Sequence, residues 1–160
     1  MSKISIIMGS ASDLETVNET IKLLKEFKVS FETKVLSAHR APKELAQYVE
    51  RAPKKGVRVF ICAAGGAAAL AGVVAAHTVL PVIGIPIETK SLKGMDSLLS
   101  TVQMPAGVPV ASMAIGRAGA KNAALFALEI LGVSDAKIAD KLIKYKKQMR
   151  LKIKKINSGK

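Results

Sequence analysis

Val59-Phe60-Ile61-Cys62-Ala63-Ala64-Gly65-Gly66-Ala67-Ala68-Ala69-Leu70-Ala71-Gly72 opens a run that ends in Pro81-Val82-Ile83-Gly84-Ile85-Pro86-Ile87. From 59 to 87 it contains no Asp, Glu, Lys or Arg. A run of that length can span a membrane. Here, however, Gly65-Gly66, Gly72, Pro81, Gly84 and Pro86 punctuate it, its ends are β-branched and its middle is rich in alanine. It reads better as buried strand, glycine turn, buried helix and buried strand, as in a parallel sheet covered on both faces. Working outward, apolar runs predict further strands at 3–8, 31–36 and 108–114, beside 57–63 and 81–86. Helical patterns fall near 13–27, 42–53, 66–77, 95–103, 118–131 and 135–156. Five βα units predict an α/β three-layer sandwich, with right-handed crossovers around one parallel sheet. A flavodoxin-like order 2-1-3-4-5 sets the first three strand-to-helix loops side by side, on the edge where open α/β sheets bind ligands.

The chain of 160 residues is long enough for one domain with a real core. Aromatics make up 4% and there is no Trp, so the core must be built from Ile, Val, Leu and Ala. The single cysteine, Cys62, excludes an intrachain disulfide and fits a reducing compartment. Its place in an apolar run makes it a buried, inert thiol. The opening Met1-Ser2-Lys3-Ile4-Ser5-Ile6-Ile7-Met8 is too short for a signal core, so a cytoplasmic protein is expected.

The formal net charge of +13 is uneven: residues 141–160 hold nine Lys/Arg and no Asp or Glu. Ile138, Leu142, Tyr145, Met149, Ile153 and Ile156 recur there at helical spacing. The division expected is a catalytic domain over 1–133 and a basic amphipathic helix and tail over 134–160. Such a helix can bind nucleic acid, which steep salt dependence lost on trimming 141–160 would reveal. The aromatic platforms of nucleic-acid modules are missing, so a solvated face over an apolar stripe that packs on protein is preferred.

Chemistry-bearing residues gather in the loops. After the first strand, Gly9 allows a tight turn, Ser10 and Ser12 offer hydroxyls, and Asp13 can accept hydrogen bonds from a sugar diol. Ser12-Asp13-Leu14-Glu15 also reads as a capping box, which leaves Ser10 and Asp13 as the ligand candidates. After the second strand comes Ser37-Ala38-His39-Arg40, ahead of Pro42. His39 is the first candidate for proton transfer near neutral pH, and Arg40 suits a bidentate grip on phosphate. The same residues also fit a plain polar loop. Ala64-Gly65-Gly66-Ala67 offers bare backbone, either against a planar ring or as a simple turn. Glu88-Thr89 joins the rim. His77, near a helix end, suits hydrogen bonding there. No Cys/His/carboxylate spacing points to a metal, and no nucleophile elbow is present.

Met8-Gly9-Ser10-Ala11-Ser12-Asp13, Ser37-Ala38-His39-Arg40, Ala64-Gly65-Gly66-Ala67-Ala68, Asp96-Ser97-Leu98-Leu99-Ser100, Val102-Gln103-Met104-Pro105-Ala106-Gly107-Val108-Pro109-Val110 and Ala118-Gly119-Ala120-Lys121-Asn122-Ala123-Ala124 occur in that order. Over about residues 4–133 the chain resembles the class I N(5)-carboxyaminoimidazole ribonucleotide mutases of purine biosynthesis, also called phosphoribosylaminoimidazole carboxylase catalytic subunits. The resemblance implies an isomerase that needs no cofactor or metal. It moves a carboxylate from the exocyclic nitrogen to a ring carbon by decarboxylation and recarboxylation, with His39 as the proton shuttle. It implies substrate-binding roles for Ser10, Asp13 and Arg40. Ser37, Ala38, Ala64, Gly65, Gly66 and Ala67 match the pocket lining. It also implies a homo-octamer in which the C-terminal helix packs on a neighbouring subunit. The family usually reads Ala-Ala-His-Leu-Pro-Gly where this chain has Ala67-Ala68-Ala69-Leu70-Ala71-Gly72. Two alternatives stay open: direct carboxylation of aminoimidazole ribonucleotide on the same scaffold, and, because Ala69 and Ala71 replace usual pocket residues, a pseudoenzyme that binds the nucleotide without turnover.

Overall fold

The computed structural model describes residues 2–158. Residues 1, 159 and 160, at the outer ends of the two predicted segments, lie outside the described residues. Five strands form one sheet: β1 (Ile4–Met8), β2 (Phe31–Val35), β3 (Val59–Ala64), β4 (Val82–Pro86) and β5 (Ala111–Ser112). Their order is β2-β1-β3-β4-β5, and every neighbouring pair is parallel. This is the flavodoxin-like order expected from the sequence. The intervening helices are α1 (Leu14–Glu26), α2 (Pro42–Arg51), α3 (Leu70–Ala76) and α4 (Met95–Val102), followed by α5 (Gly116–Gly132) and α6 (Ala136–Asn157).

The strands alternate their side chains between two faces. Ile7, Phe60, Cys62 and Val82 point to one face and form a single buried cluster with Leu45 and Val49 of α2 and Leu70 and Val74 of α3. Each large apolar side chain buried this way contributes about 1.5–3 kcal/mol. Ser5 shares that face, and its hydroxyl lies 2.6 Å from the Tyr48 hydroxyl, so the one polar group on β1 is satisfied. Ile4 and Ile6 point to the opposite face and are equally buried. α1 and α5 are joined by buried Thr20, whose Oγ1 donates to the Ala120 carbonyl at 2.7 Å. On β4, a Cβ at Gly84 would run into Thr101, so glycine lets α4 approach the sheet closely.

The chain divides into two compact units between Ala127 and Leu128. The first holds the sheet and all the loops of interest. In the second, Asp135 caps α6 by accepting from the amides of Lys137 and Ile138. Gly132 lies against Ala139 and Leu142, and Lys146 pairs with Glu129 at 2.9 Å. Beyond these, Ile143, Met149, Leu151, Ile153 and Ile156 are exposed.

Two elements differ from the sequence expectation. The strand predicted at 108–114 is paired only at Ala111–Ser112. Pro109 has no amide to give to a ladder, and the Val108 amide is spent in a turn on the Pro105 carbonyl. The helix predicted from residue 66 begins at Leu70. Gly66 is left-handed at φ +69°, and Ala68 and Ala69 bond back only two residues, which makes a tight corner first. Among the described residues no helix is long and apolar enough to cross a membrane. The uncharged run folds as the strand, turn, helix and strand predicted for it.

Candidate functional site

Sheet register brings the loops together. Met8 pairs with Val35 on one side and Ala63 on the other, and Ala64 pairs with Pro86. The chain therefore leaves β1, β2, β3 and β4 at one edge, and a cleft of about 490 Å³ lies among the four loops.

Loop one contributes Gly9, Ser10, Ser12 and Asp13 to the cleft. Here the capping register differs from the expectation. Ser10, not Ser12, is the cap. Its Oγ accepts the Ser12 amide at 3.3 Å, and its own amide donates to Asp13 Oδ2 at 3.0 Å. The chain turns as soon as it leaves β1, so the first amides in need of partners lie two residues earlier than the sequence box implies. Glu15, the residue expected to close that box, instead accepts from Arg117 at 2.7 Å. Burial raises the Asp13 carboxyl above its ordinary range. Hydrogen bonds from Ser10, Ser12 and Gly9 and the charge of Arg40 pull the other way without cancelling it.

Loop two contributes Ser37, Ala38, His39 and Arg40, just ahead of the α2 entrance at Pro42. Ser37 Oγ accepts from the Arg40 amide at 3.2 Å and from Arg40 Nε at 3.4 Å. Arg40 Nη2 donates to the Gly9 carbonyl at 3.1 Å. The guanidinium thus bridges loops one and two while remaining exposed. His39 is also exposed, on the cleft wall. A cation, an imidazole and a buried carboxylate converge in one concavity, which equips it for an anionic ligand that undergoes proton transfer.

Loop three places Ala64, Gly65 and Ala67 on the wall, with Ala69 and Leu70 at the start of α3. Gly66, the remaining predicted lining residue, is not among the residues of that wall, and its amide donates to Ser97 Oγ at 2.9 Å. Loop four adds Ile87, Glu88 and Thr89. Glu88 and Thr89 were legible only as rim residues without a role. Ser97 was legible only as part of a motif. Outside the cleft, His77 Nδ1 lies 3.2 Å from Glu50 at the end of α3. Cys62 is buried behind the wall, and desolvation pushes its thiol pKa far up, which keeps it protonated and unreactive. Among the described residues no three His, Cys, Asp or Glu side chains converge as metal ligands do.

The AIR carboxylase family model matches residues 3–152. The chain belongs to that family. Relatives with more specific names match a similar share of it. The chain is 53% identical over 150 residues to the N5-carboxyaminoimidazole ribonucleotide mutase of Saccharolobus solfataricus, covering 94% of each. It is 54% identical over 139 residues to the mutase of Bacillus subtilis, covering 87% of this chain and 86% of that one. The crystal structure of Treponema denticola PurE superposes with a TM-score of 0.89 at 28% identity, over 98% of this chain and 96% of that one. The AIR carboxylase fold therefore extends to a relative with little more than a quarter of its residues in common.

Proposed function

We propose that this chain is an N5-carboxyaminoimidazole ribonucleotide mutase, an isomerase of purine biosynthesis that gives 4-carboxy-5-aminoimidazole ribonucleotide. One observation carries the reading: the cleft that gathers His39, Arg40 and Asp13 lies in a chain more than half identical to mutases over most of its length. The reaction breaks the N–carboxylate bond and forms a bond from the ring carbon to the released carbon dioxide. The ring carbon loses one proton and the exocyclic nitrogen gains one. A single group that gives and then takes a proton closes that balance, and His39 has the chemistry for it. Arg40 and Ser10 take the phosphate, and Asp13 accepts from the ribose hydroxyls. Ser37, Ala38 and the backbone of Ala64, Gly65 and Ala67 line the space for the heterocycle, with Gly66 behind. No cofactor enters the scheme.

His39→Asn tests the shuttle. General acid–base catalysis contributes about 10²–10⁴-fold, so kcat should fall by that factor while product nucleotide still binds. A variant that keeps most of its turnover overturns the assignment. The family description itself favours a second reading, direct carboxylation of aminoimidazole ribonucleotide. Bicarbonate with the unmodified ribonucleotide, run against the carbamate, separates the two. Binding with neither turnover marks a pseudoenzyme.

The active form proposed is a homo-octamer in the cytoplasm. Met95, Leu99 and Val102 make an exposed apolar stripe on α4 at helical spacing, and α6 exposes its own. The buried free thiol of Cys62 suits a reducing compartment. Residues 1–133 are the catalytic domain in this scheme, and 134–160 supply contacts to a neighbouring copy rather than to nucleic acid. Sedimentation of the purified chain tests the assembly.

A further inference from the structure

Ser97 is fully buried, although it belongs to an exposed helix beside the cleft. Its one hydroxyl makes two bonds. It accepts the Gly66 amide at 2.9 Å and donates to the Ile87 carbonyl at 2.7 Å. Gly66 belongs to loop three and Ile87 to loop four, and these loops build the far wall of the cleft. Neighbouring side chains of α4 add to this tie. Asp96 Oδ1 accepts the Thr89 hydroxyl at 2.8 Å, and that same oxygen of Thr89 accepts the Gly94 amide at 3.2 Å. The Ser100 hydroxyl lies 2.7 Å from the Asp96 carbonyl and 3.3 Å from that of Gly66.

Crowding at Gly66 does not impose the conformation of that residue. Gly66 is left-handed at φ +69°, yet a Cβ there would meet nothing within 4 Å. The amide of the peptide before Gly66 is held by Ser97, while the Gly66 carbonyl is held by the Ala68 amide and the Ser100 hydroxyl. We infer that Ser97 is a positioning residue of the substrate cleft, setting the Gly65–Gly66 peptide and fixing the spacing between loops three and four. Its hydroxyl bonds to loops three and four, not to the loops that carry Ser10, His39 and Arg40. The inference rests on the mutase reading of the cleft.

Ser97→Ala removes both bonds at once and leaves a half-buried amide and carbonyl unmatched. Small misplacements of a reacting geometry cost up to about 100-fold in rate. With N5-carboxyaminoimidazole ribonucleotide as substrate, kcat should fall by about tenfold or more. The KM should stay within about threefold, because Arg40 and Ser10 are untouched. The pH midpoint of kcat should not move, and Ser97→Thr, which keeps the hydroxyl, should recover most of the rate. A folded S97A with wild-type kcat overturns the inference, as does a shifted pH profile or a loss that lies in KM rather than in kcat. Amide exchange of Gly66 gives a readout besides activity. In the wild-type protein it should be slow for a loop amide, and fast exchange there overturns the inference even if S97A does not fold. Should the wild type turn over no carbamate, the mutase reading fails, and Gly66 exchange alone decides the role of Ser97.

Discussion

Removing the Arg40 guanidinium should weaken the hold on the ribonucleotide without weakening the fold. Arg40 is exposed, and its partners in the free protein are the Gly9 carbonyl and Ser37 Oγ, both at the cleft edge. Water can replace it at either, so Arg40→Ala should change stability by no more than about 0.5 kcal/mol. A guanidinium on phosphate makes charge-assisted bonds worth about 1.5–3 kcal/mol each. Solvent reaches this rim and screens the contact, which puts the loss at the lower end, about 1.5–2 kcal/mol. At about 1.4 kcal/mol per decade, that is a rise in KM of roughly 10- to 30-fold. Arg40→Lys keeps the charge but not the fork, so its penalty should be about half as large in free energy. The assay is steady-state turnover of the carbamate ribonucleotide by wild type and both variants, repeated with the riboside that lacks the 5′-phosphate. The penalty should vanish for the riboside. A KM for R40A within about twofold of wild type, or the same loss on both substrates, refutes the phosphate assignment.

Asp13 and Ala69 lead to two further predictions. Since the Asp13 carboxyl titrates above its ordinary value of 3.8, the folded state holds that proton more tightly than the unfolded chain does. Its contribution to stability is therefore present below about pH 3.8 and is lost as pH rises through the folded value, so the ionised form is a liability at neutral pH. Asp13→Asn should raise Tm at about pH 7, with the gain shrinking toward about pH 3, while ribonucleotide affinity falls; a Tm that drops at neutral pH, measured by calorimetry, contradicts this. Ala69 lines the cleft where the family resemblance places a histidine. Ala69→His should return one hydrogen bond worth about 0.5–1.5 kcal/mol, a gain of roughly 2- to 13-fold in kcat/KM for the carbamate, and an unchanged or lower value shows that the chain has no use for it.

Those sites were legible for a physical reason. A parallel sheet sends every strand-to-helix loop to one edge, so once the run 59–87 is read as strand, turn, helix and strand, the placement of His39 near Asp13 follows from topology. Local chemistry was harder. The segment from Ser10 to Glu15 contains two overlapping box patterns, Ser10 with Asp13 and Ser12 with Glu15, and sequence spacing alone does not rank them. The exit angle of β1 decides, and it is a tertiary property. Likewise the apolar residues of 108–114 suit a strand, but pairing needs donors, and Pro109 and the turn at Val108 remove them.

Ser97 marks the limit of that legibility. Its partners are backbone groups, the Gly66 amide and the Ile87 carbonyl, and any residue type would offer them. A side chain that bonds to backbone thirty-one residues away leaves no complementary residue for a sequence reader to match. The pattern of α4 even points the other way, since its apolar Met95, Leu99 and Val102 are exposed and its buried positions are Ser97 and Thr101. Burying a hydroxyl is unfavourable unless both its donor and its acceptor capacity are used. The burial of Ser97 therefore already required two partners, and only folding revealed that they were the two loops facing the ligand.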